Sequence, residues 1–120
     1  MAKATYWQRG ESLDYINSGD TKIEYNTVII LGKRVGIAGG DILPGEKGSL
    51  HVEGVFEFDK ADDTAINAGT PVYWLPDSTA PGITASADDG EDTPTAYVPV
   101  GYAVETAAAA STKIKVKINA

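Results

Sequence analysis

Apolar and polar residues alternate one by one along much of this chain. From Leu50 to Asp59, one parity holds Leu50, Val52, Gly54, Phe56 and Phe58, and the other holds His51, Glu53, Val55, Glu57 and Asp59. A period of two belongs to a half-buried β-strand. The pattern predicts one strand whose even side lies on the domain's own core and whose odd side faces a subunit or the outside. "KIKVKIN" repeats it, with Ile114, Val116 and Ile118 opposed to Lys113, Lys115 and Lys117. "ESLDYIN" puts Leu13, Tyr15 and Asn17 on one side, "VGIAGGDIL" pairs Val35 with Ile37, and "YVPVGYAVE" aligns Val98, Val100, Tyr102 and Val104. "TVIILG" does not alternate. Its continuous run from Val28 to Leu31 predicts a strand buried on both faces.

Turn signals separate these runs at short intervals: "SGDT", "GKR", "PGEKG" and "DSTAPG", within a chain of 13 glycines and 6 prolines. The spacing predicts eight to ten short strands and almost no helix. The expected fold is all-β, a small antiparallel β-sandwich or β-barrel, and periodicity alone does not separate the two. Residues 1–10 read as an extended N-terminal arm and residues 11–120 as a single β-domain. "ADDGEDTPTA" reads as a polar, acidic loop and "TAAAAST" as a small-residue connection.

Composition narrows the function. With 42% hydrophobic and 22% charged residues, the chain is ordinary for a folded domain of 120 residues. Seventeen acids against ten bases give a net charge of −7, which disfavours phosphate backbones and anionic membranes as partners. The absence of cysteine removes disulfides and thiolate metal sites, and fits folding in a reducing cytoplasm. "MAKATYWQRGE" has no long apolar run and does not read as a signal peptide.

Candidate chemistry fails on inspection. "GGDILPGEKGS" resembles a phosphate-binding loop, but Glu46 stands where the lysine must be, Pro44 removes an N–H, and a strand follows in place of a helix. His51 is the single histidine, and no motif places a serine beside it. "DDGED", Asp88 to Asp92, lacks the spacing of a Ca²⁺ loop and reads as a solvated tip. No catalytic residue, cofactor site or metal site is expected, and a small hydrolase lacks a nucleophile–base pair.

Contacts are the remaining currency. Lys113, Lys115 and Lys117 form a basic counterpart to the acidic row of Glu53, Glu57 and Asp59. The two rows face each other within one sheet, or meet between subunits, or stand as two solvated faces. Tyr6 and Trp7, with Arg9 nearby, put two large aromatics in a terminal arm. Leaving such side chains in water forgoes about 1.5–3 kcal/mol of burial each, so they are expected to dock, on a neighbour ahead of their own domain. The candidate contact residues are therefore Tyr6, Trp7, Arg9, Glu53, Glu57, Lys113, Lys115 and Lys117. One of Tyr73 and Trp74, adjacent in a strand, is expected in the core; the other is a candidate platform for sugar or an interface anchor.

The ordered series "RGESLDYINSG", "TVIILGKRVGIA", "ILPGEKGSLHVEGVFEFDK", "INAGTPVYWLP", "VGYAVETAAA" and "IKVKIN" resembles the small capsid decoration (cement) proteins of tailed bacteriophages and prophages. That family has long carried a domain-of-unknown-function label, sometimes with a "predicted recombinase" tag, which the failed phosphate loop does not support. "VEGVFEFDK" and "AGTPVYW" are the most specific pieces, and the match runs from Gly10 to Asn119. The acidic insertion around "ADDGEDTPTA" departs from the pattern. The resemblance implies a β-rich structural virion protein, made in the bacterial host cytoplasm, that binds the outer surface of the mature head. Its implied partner is the major capsid protein, with no cofactor. Self-association, as a trimer ahead of a dimer, is expected from the quasi-threefold and twofold positions of such a shell and from the unpaired-looking acidic and lysine rows. The competing expectation is a carbohydrate-binding or adhesin-like module stacking sugar on Tyr73 or Trp74.

Overall fold

The alternation from Leu50 to Asp59 does not make one strand. In the computed structural model, which describes residues 1–120, it breaks into two strands that belong to different sheets. Gly54 sits at the break with φ +123°, a conformation open to glycine and strained for other residues. The parity survives the break: Leu50 and Phe58 are buried and Phe56 is half-buried, while Glu53, Val55, Glu57 and Asp59 are exposed.

Nine strands follow in order: β1 (Ser12–Ile16), β2 (Val28–Leu31), β3 (Arg34–Ala38), β4 (Lys47–His51), β5 (Val55–Asp59), β6 (Pro71–Leu75), β7 (Gly82–Thr84), β8 (Val98–Ala103) and β9 (Lys113–Ile118). There is no helix. One antiparallel sheet has the order β1-β4-β3-β2 and the other β5-β9-β8-β6-β7. The larger sheet curls until its two edges meet, through a parallel bridge between Lys60 and Ile83 and a 2.9 Å bond from the Ala61 N–H to the Ile83 carbonyl. The fold is thus all-β, an open sheet packed on a nearly closed one.

The core is a cluster of 12 buried residues. Val35 and Ile37 enter it from β3; Phe58, Val72, Ile83, Val100, Ala103, Ile114, Val116 and Ile118 enter from the curled sheet. β9 follows its sequence pattern without exception, every lysine exposed and every Ile or Val buried. Asn119, just beyond it, joins the two sheets. Its side-chain amide donates to the carbonyls of Val35 (2.9 Å) and Val52 (2.8 Å), and its oxygen accepts from the Val35 N–H at 3.3 Å.

Two strand expectations are corrected. β2 is not buried on both faces: it forms an edge of its sheet, paired only with β3, and leaves Ile30 and Leu31 exposed. The strand covered on both sides is β3, which lies between β4 and β2 and under the second sheet. In β8, Val98, Val100, Tyr102 and Val104 do not share a buried face. Val72 pairs with Gly101 and Tyr73 with Pro99, so Val100 is an extra residue, a β-bulge that shifts the parity. Val100 and Ala103 are buried while Tyr102 is only half-buried. Gly101 makes the bulge possible: φ is +153° and a Cβ there would lie 1.8 Å from the Lys117 carbonyl oxygen.

Candidate interaction surfaces

Three surface features hold the residues singled out from the sequence. The first is the outer face of β5 and β9. Antiparallel register sets Asp59 opposite Lys113, Glu57 opposite Lys115 and Val55 opposite Lys117. Glu57 and Asp59 are therefore cross-strand neighbours of lysines in one sheet of one chain, whereas Glu53 lies before β5, outside the paired register, and Lys117 faces Val55. Lys113 forms an ion pair with Asp59, which holds its ammonium above the ordinary value of 10.5 through that hydrogen bond and charge, with Glu57 adding to the field. Lys115 turns from Glu57 to Glu105 in the adjoining loop, at 3.2 Å. On this face Glu57 and Lys117 make no ion pair, so only part of it is left for a partner; Glu53, in the link before β5, also makes none. Between Glu57, Glu105, Ser111 and Lys115 lies a polar depression of about 240 Å³.

The second feature is the arm. Residues 1–10 form no regular structure, and residues 1–9 are all exposed. Tyr6 is 78% and Trp7 88% accessible, so neither docks on its own domain. Arg9 pairs with Glu11 at 3.0 Å, and Gln8 donates to the Ser12 carbonyl at 3.2 Å. Both contacts are local and tie only the base of the arm to β1.

The third feature was not legible from periodicity. A groove of about 460 Å³ runs between β2 and the curled sheet, lined by Ile30, Trp74, Pro76, Asp89, Tyr97 and Val98. The acidic loop closes one side of it as a small hairpin: Asp88 bridges Ala96, and the Tyr97 N–H donates to the Ala87 carbonyl at 2.9 Å. Asp89 accepts from the backbone N–H groups of Glu91 (3.1 Å) and Thr95 (3.2 Å), and these bonds hold its carboxyl below the ordinary 3.8. Trp74 is half-buried, with its ring edge-on to Phe58 at 6.5 Å, so it is a core-margin residue with one side on the groove.

His51 requires a correction. A serine does stand beside it: Ser12 is its direct cross-strand partner, and Ser12 Oγ lies 3.0 Å from His51 Nδ1. The two are 39 positions apart, and only the β1–β4 register brings them together. No carboxylate bonds the other ring nitrogen, and the ring leans toward Phe56 at 6.1 Å, so the third member of a triad is missing. No group of three or more His, Asp or Glu side chains converges as a metal site would require.

Comparison with known proteins decides the family. The model of the phage cement proteins matches residues 7–118. The chain belongs to the phage cement protein family. No curated protein and no solved structure matches it. A phage cement protein is a capsid-associated structural component of the virion, in agreement with the all-β fold. The family match begins at Trp7, so most of the arm lies outside it.

Proposed function

We propose that this cement protein binds the outer surface of the mature icosahedral head and stabilises it against the pressure of packaged DNA, as a trimer ahead of a dimer, after synthesis in the host cytoplasm. Membership of the cement family carries the reading. The exposed Tyr6 and Trp7 supply the physical means, because after Met1 they are the most exposed large hydrophobic side chains of the fold. The contact set comprises Tyr6, Trp7 and Arg9 of the arm and the charged face of Glu53, Glu57, Lys113, Lys115 and Lys117. Within that face, Lys113 and Lys115 already have partners in the chain, which puts more of the weight on the arm.

A head offers many equivalent sites, so modest contacts add up through repetition and through linking neighbours. A ligand that binds only the expanded lattice stabilises it by mass action. The net charge of −7 keeps the protein off the DNA it helps contain. A quantitative protein inventory of purified particles tests the reading. A copy number comparable to that of the major capsid protein is expected, and absence from intact mature particles overturns it.

A further inference from the structure

The arm and the groove match each other chemically. Residues 1–10 contain Lys3 and Arg9 and no acid, and they present Tyr6 and Trp7. The groove offers an apolar floor of Ile30, Trp74, Pro76, Tyr97 and Val98, with Asp89 on its wall. Beside it the hairpin carries Asp88, Glu91 and Asp92, and no base occurs from Ser86 to Tyr97. An aromatic side chain flanked by cations fits an apolar slot rimmed by carboxylates.

The strand order favours a second copy as the source of the arm. The arm leaves from β1, and the groove is lined by Ile30 of β2; these are the two opposite edges of the four-stranded sheet. Three strand spacings, about 14 Å, separate them before the chain even turns into the groove. The arm thus departs on the side away from its own groove, and its aromatics stand in solvent. We propose that the arm of one copy docks in the Trp74–Tyr97 groove of a second copy, with Trp7 as the apolar anchor, Lys3 facing the acidic hairpin, and Arg9 leaving its exposed pair with Glu11 to face it as well.

Such an exchange is head-to-tail, joining two different surfaces, and head-to-tail contacts close into rings where the rotation allows. It deepens the cement reading, on which its setting rests: copies crowded on a shell hold arm and groove at high local concentration. Asp89 suits the role because its hydrogen bonds keep it charged and fixed before any partner arrives.

The absence of cysteine makes the test clean. Two full-length single-cysteine variants, Thr5→Cys in the arm and Ala96→Cys in the groove, are mixed under a glutathione redox buffer. Thr5→Cys mixed with Ser18→Cys, an exposed site on another part of the surface, is the control. The expected result is a heterodimeric cross-link at least tenfold faster than the control, slowed by 1 M salt and abolished when Trp7→Ala is added to the arm variant. Equal rates at the two sites, or a rate indifferent to Trp7→Ala, overturn the exchange. Repeating the reaction on particles separates the two readings. Protein bound to particles with its arm cross-linked only to the major capsid protein sinks the exchange and leaves the cement reading standing. A fast Thr5–Ala96 cross-link in a protein absent from particles sinks the cement reading and leaves the exchange standing.

Discussion

The β5–β9 face and the N-terminal arm both look unpartnered in the sequence, and the fold treats them in opposite ways. The face is a set of charges at alternate positions; register pairs Asp59 with Lys113, and a nearby loop gives Glu105 to Lys115. The arm is a set of aromatics and cations with no acid among its own residues, and nothing in the chain covers Tyr6 or Trp7. Charges satisfied inside a sheet contribute a little to stability and leave little for a partner. Aromatics left in water contribute nothing to stability and hold their burial energy for binding.

The largest effect that breaks this comparison comes from the sheet side. Gly101→Ala places a Cβ against the Lys117 carbonyl at a positive φ. It is expected to destabilise by about 2–6 kcal/mol, the combined scale of backbone strain and overpacking, read from the denaturant midpoint. Next is Asn119→Ala, which removes the side chain bonded to Val35 and Val52 and loosens the junction of the sheets. A loss of about 1–3 kcal/mol is expected, the scale of leaving buried polar groups unpaired; an unchanged midpoint would show that the clamp is idle.

Smaller again is the surface ion pair. Lys113 has its folded pKa raised, so its contribution is complete below the ordinary 10.5 and disappears as pH rises through the higher folded value. Asp59→Asn is therefore expected to lower the thermal midpoint slightly at pH 7 and low salt, and to make no difference at strongly alkaline pH or in 1 M salt. The smallest stability effect sharpens the contrast most. Trp7→Ala should leave the unfolding transition within about 0.5 kcal/mol of the parent, as for exposed positions generally. Deleting residues 2–9 should likewise spare the transition while weakening retention on particles. Equal loss of stability and binding would make the arm part of the core.

Much of the fold was legible because a strand's two faces are a local property. β9 reads directly from Lys113 to Ile118, and the parity of Phe56 and Phe58 holds through the switch between sheets. The failures share one cause. The run Val28–Leu31 has the composition of a central strand, yet its position at a sheet edge is set by which strands lie beyond it. The bulge at Val100 depends on the partner strand, and the Ser12–His51 pair depends on register across 39 positions. Among the candidate contacts, the arm was visible as an aromatic pair in a polar terminus. The groove was not, because its lining residues come from β2, β6, the loop after it, the acidic hairpin and β8.

Period, charge and turn residues, read along the chain, were enough to establish an all-β domain, its acidity and an aromatic arm attached to it. They act within a few residues, through φ and ψ and through the side of the strand each side chain takes. Which strands pair, which edge is open, and whether a charge meets its opposite inside the molecule were decided only by the tertiary structure. Those outcomes depend on contacts between residues distant in sequence, where hydrophobic burial and register select one arrangement from many that share the same local pattern.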